Sequence, residues 1–252
     1  MLNEILLGII QGITEFLPIS SDGHLAIASK LLGETNLLFI TFLHLASLLA
    51  VIIFTRKELI DILRFDKKSF RYILFIFIGI VPAIITGLFL SDLIEKTLSC
   101  FLLISIFFLF NWLFLFFTKY SKNESKSLSL KNSFLIGLVQ SLALLQGVSR
   151  SGMTISTGLF LGIEKEKIVK FSFIMFIPLA IGAFALEFVK HQNMLLNISI
   201  ITLIFSFAVC FVINILCLNL LNYIVKTNKF WIFGLYCFLV SIISFILYFT
   251  IS

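Results

Sequence analysis

Charged residues are scarce in this sequence, where Asp, Glu, Lys and Arg together make up 13% of the chain. A soluble domain carries about 25% charged residues, and its apolar share is usually lower than the 60% found here. A water-soluble fold of 252 residues could not bury so many Leu, Ile and Phe side chains. The low charge therefore excludes an ordinary soluble domain and indicates a membrane protein, for which the bilayer is the solvent.

Cysteine is also sparse, and its pattern excludes two kinds of site. The four cysteines all lie inside apolar stretches, and no two of them form a CxxC pair. We therefore infer neither a disulfide nor a metal site from Cys100, Cys210, Cys217 and Cys237. The chain also lacks a lysine-bearing P-loop and a cluster of His and Asp residues that would suit a two-metal centre.

Long apolar stretches dominate what remains, and six of them are predicted to span the membrane. Five are long enough to cross the hydrocarbon core without difficulty. The sixth is short, but Arg56 and Lys57 follow it directly and mark its end. The predicted spans are 40–55, 72–90, 98–118, 168–189, 196–224 and 230–250.

Two further apolar stretches, 1–33 and 132–163, are interrupted near their middles by polar segments at 18–24 and 147–152. A helix over residues 1–16 would be only about 24 Å long, which is shorter than the ~30 Å hydrocarbon core. Non-helical backbone at membrane depth is tolerated only where protein or a water-filled cavity covers it. Each stretch is therefore predicted to form a re-entrant helix–loop–helix hairpin that returns to the side from which it entered.

The two interrupted stretches match each other without gaps at a constant offset of 129 residues. The matched positions are Gly8, Gln11, Ser20, Gly23 and Gly33 in the first stretch and Gly137, Gln140, Ser149, Gly152 and Gly162 in the second. Each stretch is followed by three spans, so the second unit is inverted relative to the first. We predict an all-α integral membrane protein made of two inverted units, about 1–118 and about 130–252, within a single membrane domain.

The basic residues predict the orientation of the chain. If the span 40–55 runs inward, fifteen Lys and Arg residues fall in the inner gaps, and only Lys30, Lys96 and Lys190 fall in the outer gaps. An excess of this kind marks cytoplasmic loops, and it also argues against nucleic acid as the partner that explains the net charge of +6. Both termini are then predicted to face outward.

The first hairpin carries five candidate site residues: Gln11, Glu15, Ser20, Ser21 and His24. Gln11 and Glu15 are four residues apart and share one helix face. The serines precede a helix expected to start near Gly23, where they suit either helix capping or nucleophilic attack. Ionisable groups such as Glu15 and His24 are costly at membrane depth and usually functional. His24 lies one helical turn from Ser21, so it is expected to be within reach as a base.

The second hairpin carries Ser149, Arg150, Ser151 and Thr154, which also open a helix. Two helix N-termini that meet would aim free N–H groups at one point, which suits a phosphate. Arg150 adds a planar fork of donors that matches phosphate oxygens. A structural ion pair between Arg150 and Glu15 is the alternative, and both arrangements are compatible in the empty protein.

Four polar residues within or near the spans lie outside these two segments. His44 is either a site residue or a partner in hydrogen bonding between helices, and the sequence does not decide between the two. Asn111, Asn214 and Glu187 are expected to form interhelical hydrogen bonds or to lie near span ends.

Residues 12–24 and 147–154 resemble the two signatures of the bacterial undecaprenyl-diphosphate phosphatases of the bacitracin-resistance type. The resemblance covers nearly the whole chain. It implies an enzyme that hydrolyses undecaprenyl diphosphate to undecaprenyl phosphate and inorganic phosphate, and so recycles the lipid carrier of cell-wall synthesis. It also implies a bacterial inner-membrane protein whose site faces the periplasm, with a polyprenyl diphosphate lipid as its partner. A homo-oligomer is compatible with this interpretation.

The resemblance assigns roles by position. It implies that Ser21 is the nucleophile, that His24 is an acid or base, that Glu15 is a metal ligand or acid–base group, and that Arg150 holds the phosphate. The remaining matched positions are expected to bind substrate: Gln11, Ser20, Ser149, Ser151 and Thr154. A divalent cation, Mg²⁺ or Ca²⁺, is implied as cofactor, although Glu15 is the one clear hard-oxygen ligand in the sequence.

Two positions depart from the family pattern. Asp22 stands where the family usually has Thr, and Gln146 stands where it usually has Pro. A carboxylate at Asp22 would repel the substrate unless it faces away or binds the cation.

A transporter or flippase of a lipid phosphate is the alternative function, since inverted repeats with broken helices are typical of transporters. Such a protein needs a phosphate site but no pair like Ser21 and His24.

Overall fold

A computed structural model describes residues 2–33, 37–89, 100–122, 125–191 and 198–251. Lys96, which we assigned to an outer gap, lies outside these residues, as do the predicted span ends at 90, 98–99 and 196–197. The described residues form eleven α-helices: α1 Leu2–Thr14, α2 Ser21–Leu32, α3 Leu37–Phe54, α4 Arg56–Ile62, α5 Lys67–Phe89, α6 Phe101–Phe117, α7 Leu130–Gln140, α8 Arg150–Phe160, α9 Lys165–His191, α10 Ile200–Lys226 and α11 Ile232–Ile251.

The helices confirm an all-α membrane protein with five to six candidate spans. Five helical segments are long and apolar enough to cross a bilayer: Lys67–Phe89, Phe101–Tyr120, Lys165–Val189, Ile200–Lys226 and Ile232–Thr250. The sixth candidate is α3 taken together with the short helix α4, which follows after Thr55 at an angle of 74°. This bend places the charged residues of α4 beside the end of the span rather than in line with it.

The two hairpins are built from helices that are too short to span. α1 has 13 residues and packs on α2, and α7 has 11 residues and packs on α8. In the first hairpin, α2 begins at Ser21, two residues earlier than we expected, because the Ser20 hydroxyl caps it by accepting from the backbone N–H of Gly23 at 3.3 Å. Gly33 ends α2 with a left-handed φ of 71°.

Helices of one half pack on helices of the other half. α3 contacts α9 and α6 contacts α11, and these are corresponding spans of the two predicted units. The short helix α1 packs on α10, while the corresponding helix α7 packs on α5. This exchange is the pattern that an inverted repeat produces. The division into units 1–118 and 130–252 stays a prediction.

Two matched glycines explain how the short helices fit into the bundle. A Cβ atom on Gly8 of α1 would lie 2.9 Å from the carbonyl oxygen of Ser206 on α10. A Cβ atom on Gly137 of α7 would overlap the carbonyl oxygen of Gly79 on α5. Both positions therefore need a residue without a side chain, because the backbones touch there. This shared constraint accounts for one of the matches at the offset of 129.

Most of the predicted inner loops meet at one end of the bundle, which we call the basic end and define as residues 56–66, 118–122, 125–129, 161–165 and 226–231. Lys170 near the start of α9 pairs with Glu58 of α4, and Lys226 at the end of α10 pairs with Glu166. The Lys126 amide donates to the Gly162 carbonyl at 2.9 Å. These contacts join loops that the charge pattern assigned to the same side.

The first turn of α5, directly after the loop from α4, provides a test of orientation. In a variant whose native cysteines are replaced, Lys68→Cys should react with an impermeant maleimide only after the cells are permeabilised, because the basic end is predicted to be cytoplasmic. Lys30→Cys at the end of α2 is the matched control and should react in intact cells. Both residues are exposed. Labelling of Lys68→Cys but not Lys30→Cys in intact cells would reverse the predicted topology.

Candidate active site

The tips of the two hairpins contact each other, and a matched serine caps the helix after each tip. Ser20 has a φ of 66°, which is unfavourable for a residue other than glycine, and its hydroxyl accepts from the backbone N–H of Gly147 in the second hairpin at 3.0 Å. Ser149 caps α8 by accepting from the Gly152 N–H at 3.1 Å, as Ser20 caps α2. The expected meeting of two capped helix N-termini is therefore present.

Asn111 of α6 holds both tips from the side. Its amide nitrogen donates to the Pro18 carbonyl at 3.0 Å, and its amide oxygen accepts from the Ser149 N–H at 3.1 Å. This confirms the expected interhelical bonding, as does the 2.9 Å hydrogen bond from Asn214 to Ser47. Glu187 lies near the end of the span formed by α9, as predicted.

Glu15 is the centre of the site. One carboxylate oxygen accepts from the Ser21 hydroxyl at 2.6 Å and from the Gln11 amide at 2.9 Å. The other oxygen accepts from Arg150 at 3.1 Å, so the ion pair considered from the sequence is formed. The Glu15 side chain is only 5% exposed. The structure thus brings together four of the candidate residues, with Ser21 and Gln11 at one oxygen of the Glu15 carboxylate and Arg150 at the other.

Arg150 reaches this carboxylate from the first position of α8. Its guanidinium lies over the ring of Phe176 with 4.2 Å between the carbon and the ring centroid, and one nitrogen donates to the Ser172 carbonyl at 3.4 Å. Stacking on an aromatic face is a property of the flat guanidinium that lysine lacks. The contact fixes the plane of the fork beside Ser21 and Glu15.

His24 does not lie where we expected it. Its Nδ1 is 2.8 Å from the Ser20 carbonyl oxygen, so this nitrogen must carry the proton and donate it. Its Nε2 then accepts from the Tyr236 hydroxyl at 2.8 Å, and its ring stacks on the Tyr236 ring. Because both nitrogens are used, the expected Ser21–His24 pair is not formed. The geometry makes His24 a support for the Ser20 backbone.

Three of the expected substrate-binding residues face the protein instead. Gln11 donates to Glu15 and also, at 3.4 Å, to Ser47. Thr154 shares a 2.6 Å hydrogen bond with Ser172, and the Ser151 hydroxyl is 3.1 Å from the Ser149 hydroxyl. All of these side chains are buried. In this structure these side chains bond to neighbouring protein groups, and direct contact of Gln11, Ser151 and Thr154 with a substrate stays a prediction.

His44 of α3, which the sequence left undecided, faces the carboxylates. Its Nε2 lies 3.5 Å from a Glu15 oxygen and 3.9 Å from an Asp22 oxygen. Its Nδ1 donates to the Ile40 carbonyl at 3.0 Å, which fixes the ring. The signal that could have identified it was an ionisable residue inside a predicted span.

These groups form the floor of a cavity of about 460 Å³. The polar residues that line it are Glu15, Ser20, Ser21, Asp22, His44, Gln140, Ser149 and Arg150. The walls are apolar and come from the far ends of α5 and α9, at 83–88 and 176–186. Both helices begin at or beside the basic end, so the cavity lies towards the opposite end. A polar floor with apolar walls suits an anion attached to a lipid.

Comparison with known proteins identifies the family of this chain. Residues 4–243 match the family model described as Bacitracin resistance protein BacA. The chain belongs to this family. An undecaprenyl-diphosphatase of Methanococcus vannielii is 39% identical over 251 residues, which cover 96% of this chain and 98% of the relative. Undecaprenyl-diphosphatases of Thermosipho africanus and Bacteroides fragilis are 40% and 38% identical, with 97% and 95% of this chain covered and 99% and 95% of the relatives.

The divalent cation expected from the sequence resemblance can be compared with the donors that the site offers. Among the described residues, no three His, Cys, Asp or Glu side chains are grouped so that they could hold a metal ion. The cavity offers the carboxylates of Glu15 and Asp22, and both Glu15 oxygens are already hydrogen bonded. Asp22 is 51% exposed to the cavity. Mg²⁺ is often held by one or two carboxylates together with substrate phosphates, and this set fits that mode.

The position of His24 generates a prediction for the activity after which the relatives are named. Asn has a donor near the place of the His Nδ1, so His24→Asn should keep the bond to Ser20 and retain activity within about tenfold. His24→Leu should lose roughly a hundredfold through displacement of the Ser20 loop. Both variants are compared by the kcat and pH profile of phosphate release. Equal inactivation of both, with loss of one limb of the profile, would restore the acid–base role.

Proposed function

We propose that the protein hydrolyses undecaprenyl diphosphate to undecaprenyl phosphate and inorganic phosphate, and thereby recycles the lipid carrier of cell-wall synthesis. The observation that carries the proposal is the Glu15 carboxylate, which joins the Ser21 hydroxyl to the Arg150 guanidinium on the floor of an apolar-walled cavity. The names of the relatives in the BacA family support the same reaction.

The terminal phosphate of the substrate would bind where the two helix N-termini meet. The N–H groups in the first turn of a helix have no acceptor within that helix. The Ser20 and Ser149 hydroxyls accept only from Gly23 and Gly152, so the preceding N–H groups of α2 and α8 remain for a ligand. The positive ends of both helix dipoles favour a phosphate there. Arg150 supplies a charged fork beside these amides. The prenyl chain would leave along the apolar ends of α5 and α9.

Ser21 is the proposed nucleophile, and Glu15 is the proposed base. As the Ser21 oxygen bonds to the terminal phosphorus, its proton passes to the Glu15 oxygen that is 2.6 Å away. The bond from this phosphorus to the bridging oxygen breaks, and undecaprenyl phosphate leaves. Water then attacks the phosphoserine, the phosphorus–serine bond breaks, and the serine hydroxyl and inorganic phosphate are formed. Glu15 moves the protons in both steps.

Arg150 would exchange one partner for another during this sequence. In this structure the guanidinium neutralises the charge of the Glu15 carboxylate. When Glu15 takes the Ser21 proton it becomes neutral, and the guanidinium is then free to stabilise the negative charge on the phosphate. The same residue therefore serves as a structural ion-pair partner before reaction and as a phosphate ligand during it.

A divalent cation would be held by Asp22, with Glu15 nearby, and by oxygens of the diphosphate. Its chemical contribution would be to neutralise phosphate charge. This role gives the departure from threonine at Asp22 a purpose, since a carboxylate that faces a cation does not repel the substrate.

The site is proposed to open to the periplasm from a bacterial inner membrane. The cavity lies at the end of the bundle away from the basic end, and an excess of basic residues is typical of the cytoplasmic side. Undecaprenyl diphosphate in the outer leaflet could then enter sideways between α5 and α9, with its head group at the polar floor.

Ser21→Ala tests the proposal directly. Purified protein in detergent should release phosphate from undecaprenyl diphosphate, and Ser21→Ala should lower kcat roughly a thousandfold or more, because the nucleophile is lost. Ser29→Ala, on the same helix and away from the cavity, is the matched control and should behave as the parent does. No release by the parent in detergent would favour the transporter. Near-normal release by Ser21→Ala would favour direct attack by water.

Arg150→Lys tests the phosphate ligand. Lysine keeps the positive charge but loses the fork and the stacking on Phe176, so kcat/KM should fall roughly a hundredfold. Arg71→Lys, in the predicted inner part of α5, is a control for the same chemical change. Activity close to that of the parent in Arg150→Lys would show that a point charge is sufficient.

A further inference from the structure

A second polar cavity lies at the basic end, on the other side of the molecule from the candidate active site. It has a volume of about 240 Å³ and is lined by Lys119, Lys165, Asn228 and Phe230, together with Thr118 and Ser121. We call it the basic cleft. It shares none of its lining with the larger cavity. Arg150 and Leu159 of α8 line one cavity each, and nine residues of helix separate them by about 14 Å.

The lysines of the basic cleft differ from others at this end of the bundle. Lys167 pairs with Glu164 at 2.6 Å, Lys226 pairs with Glu166 at 2.6 Å, and Lys170 pairs with Glu58. In the described part of the chain, Lys119 and Lys165 have no carboxylate partner. The cleft therefore holds positive charge that the protein does not neutralise there.

The contacts that these two lysines do make leave the charge in place. The Lys165 ammonium donates to the side-chain oxygen of Asn228, which is neutral. The Lys119 ammonium lies 5.0 Å from the centroid of the Trp231 ring. A cation over an aromatic ring keeps its charge and its remaining N–H donors. Two ammonium groups and the Asn228 amide are thus placed around one small space that fits an oxyanion.

The depth of the basic cleft indicates the source of that anion. The cleft lies where α6 and α10 end and where α11 is about to begin. Tyr120 and Tyr223, at the ends of α6 and α10, are largely exposed, and Trp231 is half-buried. Tyr and Trp concentrate at the level of the lipid head groups. Basic pockets between transmembrane helices on the cytoplasmic side are suited to phospholipid head groups.

We propose that the basic cleft binds the phosphate group of an anionic phospholipid, held by Lys119, Lys165 and Asn228 at the membrane surface away from the active-site cavity. The acyl chains would lie against the exposed apolar surface of the neighbouring spans. The proposal does not depend on the enzymatic function, since none of these residues belongs to the candidate active site.

The test compares lipid binding by two double variants of equal charge. Lys119→Gln/Lys165→Gln removes both ammonium groups of the cleft, and Lys67→Gln/Lys68→Gln removes two exposed ones at the start of α5. Each purified protein is titrated in detergent with phosphatidylglycerol or phosphatidylcholine, and bound lipid is counted by native mass spectrometry. At about 0.15 M salt, diffuse attraction is screened beyond roughly 8 Å, so direct contacts dominate.

We expect the parent and the Lys67/Lys68 variant to hold phosphatidylglycerol in preference to phosphatidylcholine. The Lys119/Lys165 variant should bind phosphatidylglycerol roughly tenfold more weakly, because charge-assisted hydrogen bonds to the phosphate are lost. The thermal midpoint in phosphatidylcholine shows whether that variant is folded, and the single change Lys165→Gln replaces the double variant if it is not. Equal phosphatidylglycerol binding by all three proteins would overturn the proposal.

A separate arm distinguishes the lipid from free phosphate. Inorganic phosphate at millimolar concentration is added to the parent with phosphatidylglycerol bound. Under the proposal it displaces little lipid, because the acyl chains contribute to binding. Full displacement by phosphate alone, or an equal rise of the thermal midpoint with phosphate and no lipid, would show that the cleft is a site for the free anion and that the lipid assignment is wrong.

Discussion

The buried carboxylate of Glu15 is the constraint to which the rest of the site responds. An unpaired charge at this depth is costly, and removing one partner of a buried ion pair typically costs about 3–5 kcal/mol. Glu15 belongs to the first hairpin and Arg150 to the second, so neutralising the carboxylate requires that the two hairpins meet. The hydrogen bonds from Ser21 and Gln11 complete the shell of donors. One electrostatic requirement thus fixes both the docking of the hairpins and the position of the Ser21 hydroxyl.

The two hairpins repeat the same helix-capping arrangement. Ser20 and Ser149 cap α2 and α8 with the same hydrogen bond, each to a glycine three residues later. The caps leave the earlier amides free, and the hairpin contact turns both sets towards one cavity. Of these two serines, only Ser20 has a positive φ, and His24 donates a hydrogen bond to its carbonyl oxygen. The strain therefore lies next to Ser21, in the first hairpin.

The sequence was sufficient for the long spans and the short hairpin helices, because these depend on length and polarity in an apolar chain. It gave the Glu15–Arg150 pair as one of two alternatives, and the structure forms that pair. It did not indicate the hydrogen bonds of His24, because one of its two partners, Tyr236, lies on a helix 212 residues later in the chain. An acid–base role of His24 stays a prediction. The sequence could not place His44, because its nearness to Glu15 and Asp22 depends on how α3 packs against the hairpin. Gln11, Ser151 and Thr154 show the same limit: polarity marks the site but not the direction of each side chain.

The exchange of short helices between the halves has a consequence for how the molecule is assembled. α1 is synthesised first, yet the helix on which it packs, α10, comes near the end of the chain. The first half therefore enters the bilayer with the backbone at Gly8 uncovered and before Arg150 is available to pair with Glu15. Neither half contains a complete binding floor, so maturation of the site is a late event in biogenesis. Separately expressed halves would have to find each other within the membrane before any substrate could be bound.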